Sequence, residues 1–188
     1  MSSPTNVDSS LNAAGIKPEQ SKALDERPAQ PNEEPIILAI KELYSCKPSN
    51  DTFNIYASDA IFHDPVGIAS GIGSIRSQFV GLAKIFPRAD IPKFRILQNP
   101  ANLPPNTILI DQDVAYFRNP VSDSPTKVVN SLLTLKVNDA NKVISHKEEW
   151  DHVKTTTRED GFLGWLNEER KKLTAKLTDM FVGGGDPN

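Results

Sequence analysis

The chain has 188 residues, is 38% hydrophobic and carries a formal net charge of −3, a size that suits one domain with a core of its own. All of that charge falls within residues 1–34, which hold six acids and three bases. The balanced remainder gives no electrostatic case for binding nucleic acid. Cys46 is the single cysteine, so no disulfide can form within the chain, and a reducing, cytoplasmic location is expected. No apolar run reaches the length that spans a bilayer, and neither a secretory nor a transit signal is recognisable.

Residues 1–34 are rich in Ser, Pro, Asn, Glu and Gln and lack apolar periodicity; a disordered tail is expected there. Pro35 suits the first turn of a helix that presents Ile36, Ile37, Ile40, Leu43 and Tyr44 on one face and ends near Cys46. Asn50 or Asp51 caps a second, short helix with Phe53, Ile55 and Tyr56. A short strand over 60–64 and a tight connection from Gly67 to Gly71 follow. Ile72, Ile75, Phe79, Leu82, Ala83 and Phe86 then mark the clearest helical stripe, stopped by Pro87.

From there the period changes. Ile91, Phe94 and Ile96 suggest a strand, and Pro100, Pro104 and Pro105 a loop. Residues 108–117 alternate as a long strand, 128–137 form another, and the turn 138–141 returns the chain into a strand over 143–152. The expected fold class is α+β: a cone-shaped α+β barrel, with three N-terminal helices packed on a strongly curved antiparallel sheet. Residues 35–154 make this domain, 155–182 a C-terminal amphipathic helix, and 183–188 a disordered end. Phe162, Leu166, Leu173, Leu177 and Met180 or Phe181 form the helix stripe, with Arg170, Lys171, Lys172 and Lys176 mostly elsewhere. Packing on the domain or on a second copy is the expectation for it, rather than contact with a membrane surface.

A helical layer over a curved sheet encloses a pocket, the default site for a small molecule. Asp64 ends the short strand and precedes Pro65, which biases it towards an extended backbone. Two readings stand for it: a turn-starting residue, or a partly desolvated carboxylate with a raised pKa, suited to accept a proton. On the last strand, alternation puts Ile144, His146, Glu148, Trp150 and His152 on one face. That face either lines the pocket or meets solvent. His63 is expected to be exposed. The spacing of His63, His146 and His152 matches no metal-ligand pattern, so no metal and no cofactor is expected. Tyr116 and Asn130 on the long strands are weaker pocket candidates.

This order resembles the ketosteroid isomerase and nuclear transport factor 2-like superfamily, which includes polyketide cyclases of the SnoaL-like kind. The resemblance covers about residues 35–152. Its motifs are Tyr56 to Ala60 followed by Asp64-Pro65-Val66-Gly67, then Ser70-Gly71 with Ile72, Ile75, Arg76 and Phe79, and Lys142 through Trp150. The resemblance implies that Asp64 is a general base that moves a proton beside a ketone. It also implies a donor for the developing enolate oxygen, yet Leu133 stands where the family's protonated Asp would fall, and Ile40 near the family's Tyr, one turn before Tyr44.

The expected function is binding of an apolar small molecule, with isomerisation, cyclisation or dehydration through Asp64 and acid–base help from His146. The alternative is a ligand carrier or a dimerisation and partner-binding module of the same fold. Tyr44, Tyr56, Phe62, Phe79, Tyr116, Asn130, Leu133, Glu148 and Trp150 are the expected pocket residues. A homodimer through the sheet face is the expected assembly.

Overall fold

A computed structural model describes residues 10–155 and 161–182, with side chains to residue 174. The expected disordered end and the first nine residues lie outside this range, as do the side chains of Leu177, Met180 and Phe181.

Helix α1 (Pro18–Lys22) is followed by α2 (Glu34–Tyr44) and a 3₁₀ turn (Asp51–Ile55). Strands β1 (Tyr56–Asp64) and β2 (Gly67–Ser70) form a hairpin, and α3 (Gly71–Ile85) packs on it. The long strands β3 (Arg88–Leu97), β4 (Thr107–Phe117), β5 (Lys127–Val137) and β6 (Val143–Trp150) come next, then α4 (Gly161–Val182). None of the described helices is long and apolar enough to cross a membrane.

The α+β class holds, with corrections to its details. The sheet is mixed, in the order β2-β1-β6-β5-β4-β3, because β1 runs parallel to β6. It is not strongly curled, in contrast to the strongly curved sheet expected from the sequence. The second of the three expected N-terminal helices is only a 3₁₀ turn, and the third follows the first hairpin instead of preceding the sheet. Alternation reports which residues share a face but not the direction in which two distant strands pair.

Helical spacing explains α2 and α3. Ile36, Ile37, Ile40, Leu43 and Tyr44 are all buried on α2, as are Ile75, Phe79 and Leu82 on α3. They meet the inner face of the sheet, where Phe62, Ile108, Ile110, Val114, Tyr116, Val129, Leu133, Leu135 and Trp150 complete one apolar core.

Residues 10–33 are a second correction, for they are not a disordered tail. They lie against the outer face of the sheet, where Ala14 packs with Leu97, Leu109 and Leu132. Backbone bonds from Arg27 to Ile96 (2.8 Å) and from Gln98 to Asp25 (2.7 Å) cover the free edge of β3. Few large apolar residues anchor this arm, so composition reads as disorder. Its order comes from paired polar groups: Asn12 Nδ2 donates to Ser21 Oγ (2.9 Å), and the Ala13 amide donates to Glu149 (2.8 Å).

Candidate functional site

Asp64 ends β1 and is both things the sequence allows. Its Oδ1 accepts from the amides of Val66 (2.9 Å) and Gly67 (2.8 Å), which is the turn. It is also only 6% exposed. With Oδ1 held by the backbone, Oδ2 faces Arg170, whose Nη2 is 3.5 Å away. Burial pushes the Asp64 pKa up, against the pull of Arg170 and of the two amides.

Glu148 lies on the inner face of β6, opposite Leu133. Tyr44 donates to its Oε2 (2.9 Å) and Trp150 Nε1 to its Oε1 (3.1 Å). Burial, helped by repulsion from Asp64, pushes its carboxyl up to about 7, although Tyr44, Ser131 and Trp150 favour the ionised form. The two carboxylates share one small cavity of about 20 Å³ with Leu82, Phe86, Tyr116, Trp150, Phe162, Leu166 and Arg170. That is room for about one water.

His146 does not reach this cavity. It is fully buried among Tyr44, Tyr56, Phe62 and Phe79, with ring centroids 4.8 Å from Phe62 and 6.1 Å from Tyr56. Tyr56 Oη lies 2.7 Å from Nδ1, and Tyr44 Oη 3.2 Å from Nε2. Burial pushes the His146 pKa down to about 3, so the ring is neutral. With Glu148 ionised, Tyr44 donates to it. His146 Nε2 then donates to Tyr44, and Nδ1 accepts from Tyr56. One tautomer satisfies the whole row, Tyr56–His146–Tyr44–Glu148.

The expected pocket residues therefore separate into three groups. Asp64, Tyr116, Glu148 and Trp150 meet at the cavity. Tyr44, Tyr56, Phe62, Phe79 and Leu133 are packed interior beneath it. Asn130 is on the opposite face, where its amide donates to Asp111 (3.0 Å) and Asp113 (2.8 Å). An open apolar cone is thus replaced by a filled interior, closed over Asp64 by α4.

The three histidines lie apart: His63 is exposed, His146 is in the core, and His152 is fully buried on the outer face. Asp151 and His152 both have left-handed backbone, with φ of 53° and 63°, which breaks the alternation that put His152 beside Trp150. Sequence reading also set Arg170 off the helix stripe. Yet Phe162, Leu166 and Arg170 recur at four-residue spacing, the signal that puts all three on one helix face.

A larger open groove of about 570 Å³ runs between α2, the 3₁₀ turn and the β5–β6 turn. Its lining includes Leu38, Glu42, Asn54 and Lys142, and its acidic residues Glu42 and Asp51 bond to Thr52 and Asn54. The Asp64 cavity is smaller but brings two buried carboxylates and a cation together, the arrangement that acid–base chemistry needs.

No family model matches the chain, and no curated protein matches its sequence. Solved structures do match its shape. A steroid delta-isomerase from Pseudomonas aeruginosa aligns with a TM-score of 0.56 and 11% identity, over 80% of this chain and 97% of that one. A nuclear transport factor 2-like protein from Anabaena variabilis aligns with a TM-score of 0.52 and 12% identity, over 69% and 98%. The fold is that of the ketosteroid isomerase and nuclear transport factor 2-like superfamily.

Proposed function

We propose that this protein binds an apolar small molecule at the Asp64 cavity and moves a proton on it, with Asp64 as the base. The observation that carries the reading is the pairing of Asp64 with Glu148, two buried carboxylates in different surroundings facing one space. Different environments set the two carboxyls apart: at Asp64 the Arg170 cation and two amides pull against burial, whereas burial and the nearby Asp64 push Glu148 up to about 7. His146 serves as a positioning residue, fixing Tyr44 and through it Glu148. Ligand entry displaces Phe162 and Leu166, and an apolar ligand body takes their place. Isomerisation, cyclisation and dehydration all begin with the same step, removal of a proton beside a carbonyl.

Exchange of α-hydrogens for deuterium in 2-tetralone, followed by NMR, tests this without a known substrate. The wild type speeds exchange, and Asp64→Asn loses about 10²–10⁴-fold of that rate while still binding the ketone. Equal exchange by both proteins refutes Asp64 as base.

The second reading is a non-catalytic carrier or partner-binding module. It is favoured by one observation, the small volume left once Arg170 pairs with Asp64. A homodimer through the sheet face fits either reading. It would use the part of the outer face that the N-terminal arm leaves open, where Ile61 and Ile68 are exposed.

A further inference from the structure

Arg170 is the only cation among the described residues lining the Asp64 cavity. Its guanidinium is held from one side, where Nη1 donates to Gln78 Oε1 at 2.7 Å. Nη2 pairs with Asp64 Oδ2 at 3.5 Å, beyond direct hydrogen-bond range. Nε is buried and has no partner among the described residues. A buried donor left without a partner is uncommon and calls for an explanation.

The neighbouring groups narrow what such a donor would serve. Asp64 Oδ1 is taken by Val66 and Gly67, and the Glu148 oxygens by Tyr44 and Trp150. The other lining residues are Leu82, Phe86, Tyr116, Phe162 and Leu166, apolar apart from the Tyr116 hydroxyl. A ligand oxygen entering this space would meet Arg170.

We propose that Arg170 is the electrophilic partner of Asp64: it binds the carbonyl oxygen of a neutral, enolisable ketone or ester and holds the enolate formed there. This rests on the proton-transfer reading above and narrows its ligand class. In the step, the C–H bond next to the carbonyl breaks and its proton goes to Asp64 Oδ2. The C–H electron pair becomes the new C=C bond, and the carbonyl π pair moves to oxygen. Return of a proton from Asp64 to carbon completes the transfer.

Charge balance favours this assignment. Before the step, Asp64 is negative and Arg170 positive. After it, Asp64 is neutral and the enolate is negative beside the same Arg170. The guanidinium changes its anionic partner, and no lone charge appears in a buried site, where one would be costly. A ligand that arrives as a carboxylate would instead add a further anionic group to a cavity that already holds Asp64 and Glu148, so the site selects against it.

The test uses 4-nitrophenol, whose coloured phenolate mimics an enolate, in the full-length protein. Asp64→Asn reproduces the neutral Asp64 of the intermediate. In that variant the bound phenol ionises at least about one pH unit lower than in water, a tenfold preference for the anion. Adding Arg170→Gln abolishes the shift, and adding Arg170→Lys instead keeps part of it, which separates lost charge from a displaced helix. Equal ionisation with Arg170 and with Gln, or no binding of the probe by Asp64→Asn, overturns the proposal. In the tetralone assay, Arg170→Gln alone slows exchange about 10²–10³-fold. Exchange that needs Asp64 but not Arg170 refutes this inference only. A phenolate preference that needs Arg170, with exchange indifferent to Asp64, refutes the proton-transfer reading only.

Discussion

Ser21 Oγ lies 2.7 Å from Nδ1 of His152, and the far nitrogen of that ring lies 3.1 Å from Asp111 Oδ1. The order Ser–His–Asp is that of a nucleophilic triad, but Ser21 and His152 are fully buried. Ser21 Oγ is also bonded to Asn12 and to the carbonyl of Pro18. The row is a clasp that ties the N-terminal arm to the outer face of the sheet. Asp111 anchors it: burial alone would raise its pKa, but bonds from His152, Lys93 and Asn130 hold it well below the ordinary carboxylate range.

Ser21→Ala removes the arm's end of the clasp and leaves His152 Nδ1 buried without a partner. The expected loss is roughly 1–3 kcal/mol in urea unfolding. Proteolysis should then cut first within the arm, at residues 10–33. An unchanged unfolding midpoint and cleavage pattern would show that the clasp holds nothing.

The row Tyr56–His146–Tyr44–Glu148 can run in either direction. With Glu148 ionised, the proton on His146 sits on Nε2. A protonated Glu148 donates to Tyr44, which then donates to Nε2, so the imidazole proton moves to Nδ1. Nitrogen NMR of His146 should therefore show the neutral ring changing tautomer near pH 7, where Glu148 titrates. One tautomer throughout would mean that the row does not follow Glu148.

Stability against pH separates the same two groups. The Glu148 carboxyl, raised to about 7 from 4.5, contributes stability that is complete below pH 4.5 and lost as pH rises to 7. Asp64, also raised, adds to that fall. His146, lowered to about 3 from 6.5, acts oppositely: its stabilising share is complete above pH 6.5 and lost as pH falls to 3. Between pH 4.5 and 6.5 the two slopes oppose, each about 1.4 kcal/mol per pH unit. Glu148→Gln removes one of them. Relative to the wild type, the variant should gain on the order of 3 kcal/mol from pH 4.5 to 7. A constant difference across that window would contradict the buried, raised carboxyl.

The helices α2 and α3 and the long strands were legible because each buries one face, and a buried face writes its period into the sequence. Asp64 was legible for two reasons at once, as a turn residue before Pro65 and as a carboxylate after an apolar strand. The arm was not, because small or polar residues such as Ala14, Asn12 and Ser21 hold it, and these look alike in ordered and disordered chain. His152 was misplaced by two left-handed residues, Asp151 and His152 itself, which no alternation rule anticipates. Arg170 was overlooked because a charge on an amphipathic helix is normally read as solvent-facing. Only the buried carboxylate opposite gives it a reason to point inward. The filled interior depends on how Phe62, Phe79 and Tyr44 interlock around His146, and periodicity carries no volumes.

The parallel pairing of β1 with β6 also bears on how the chain is made. Tyr56 and His146 are 90 positions apart, and Ala13 meets Glu149 across 136. At a synthesis rate of roughly 5–20 residues per second, β1 waits on the order of ten seconds for its central neighbour to leave the ribosome. During that time the inward side chains of α2 and the first hairpin have no sheet to cover them. Closure over such sequence distances is entropically slow, so this topology favours late, nearly all-at-once folding over stepwise growth from the N-terminus.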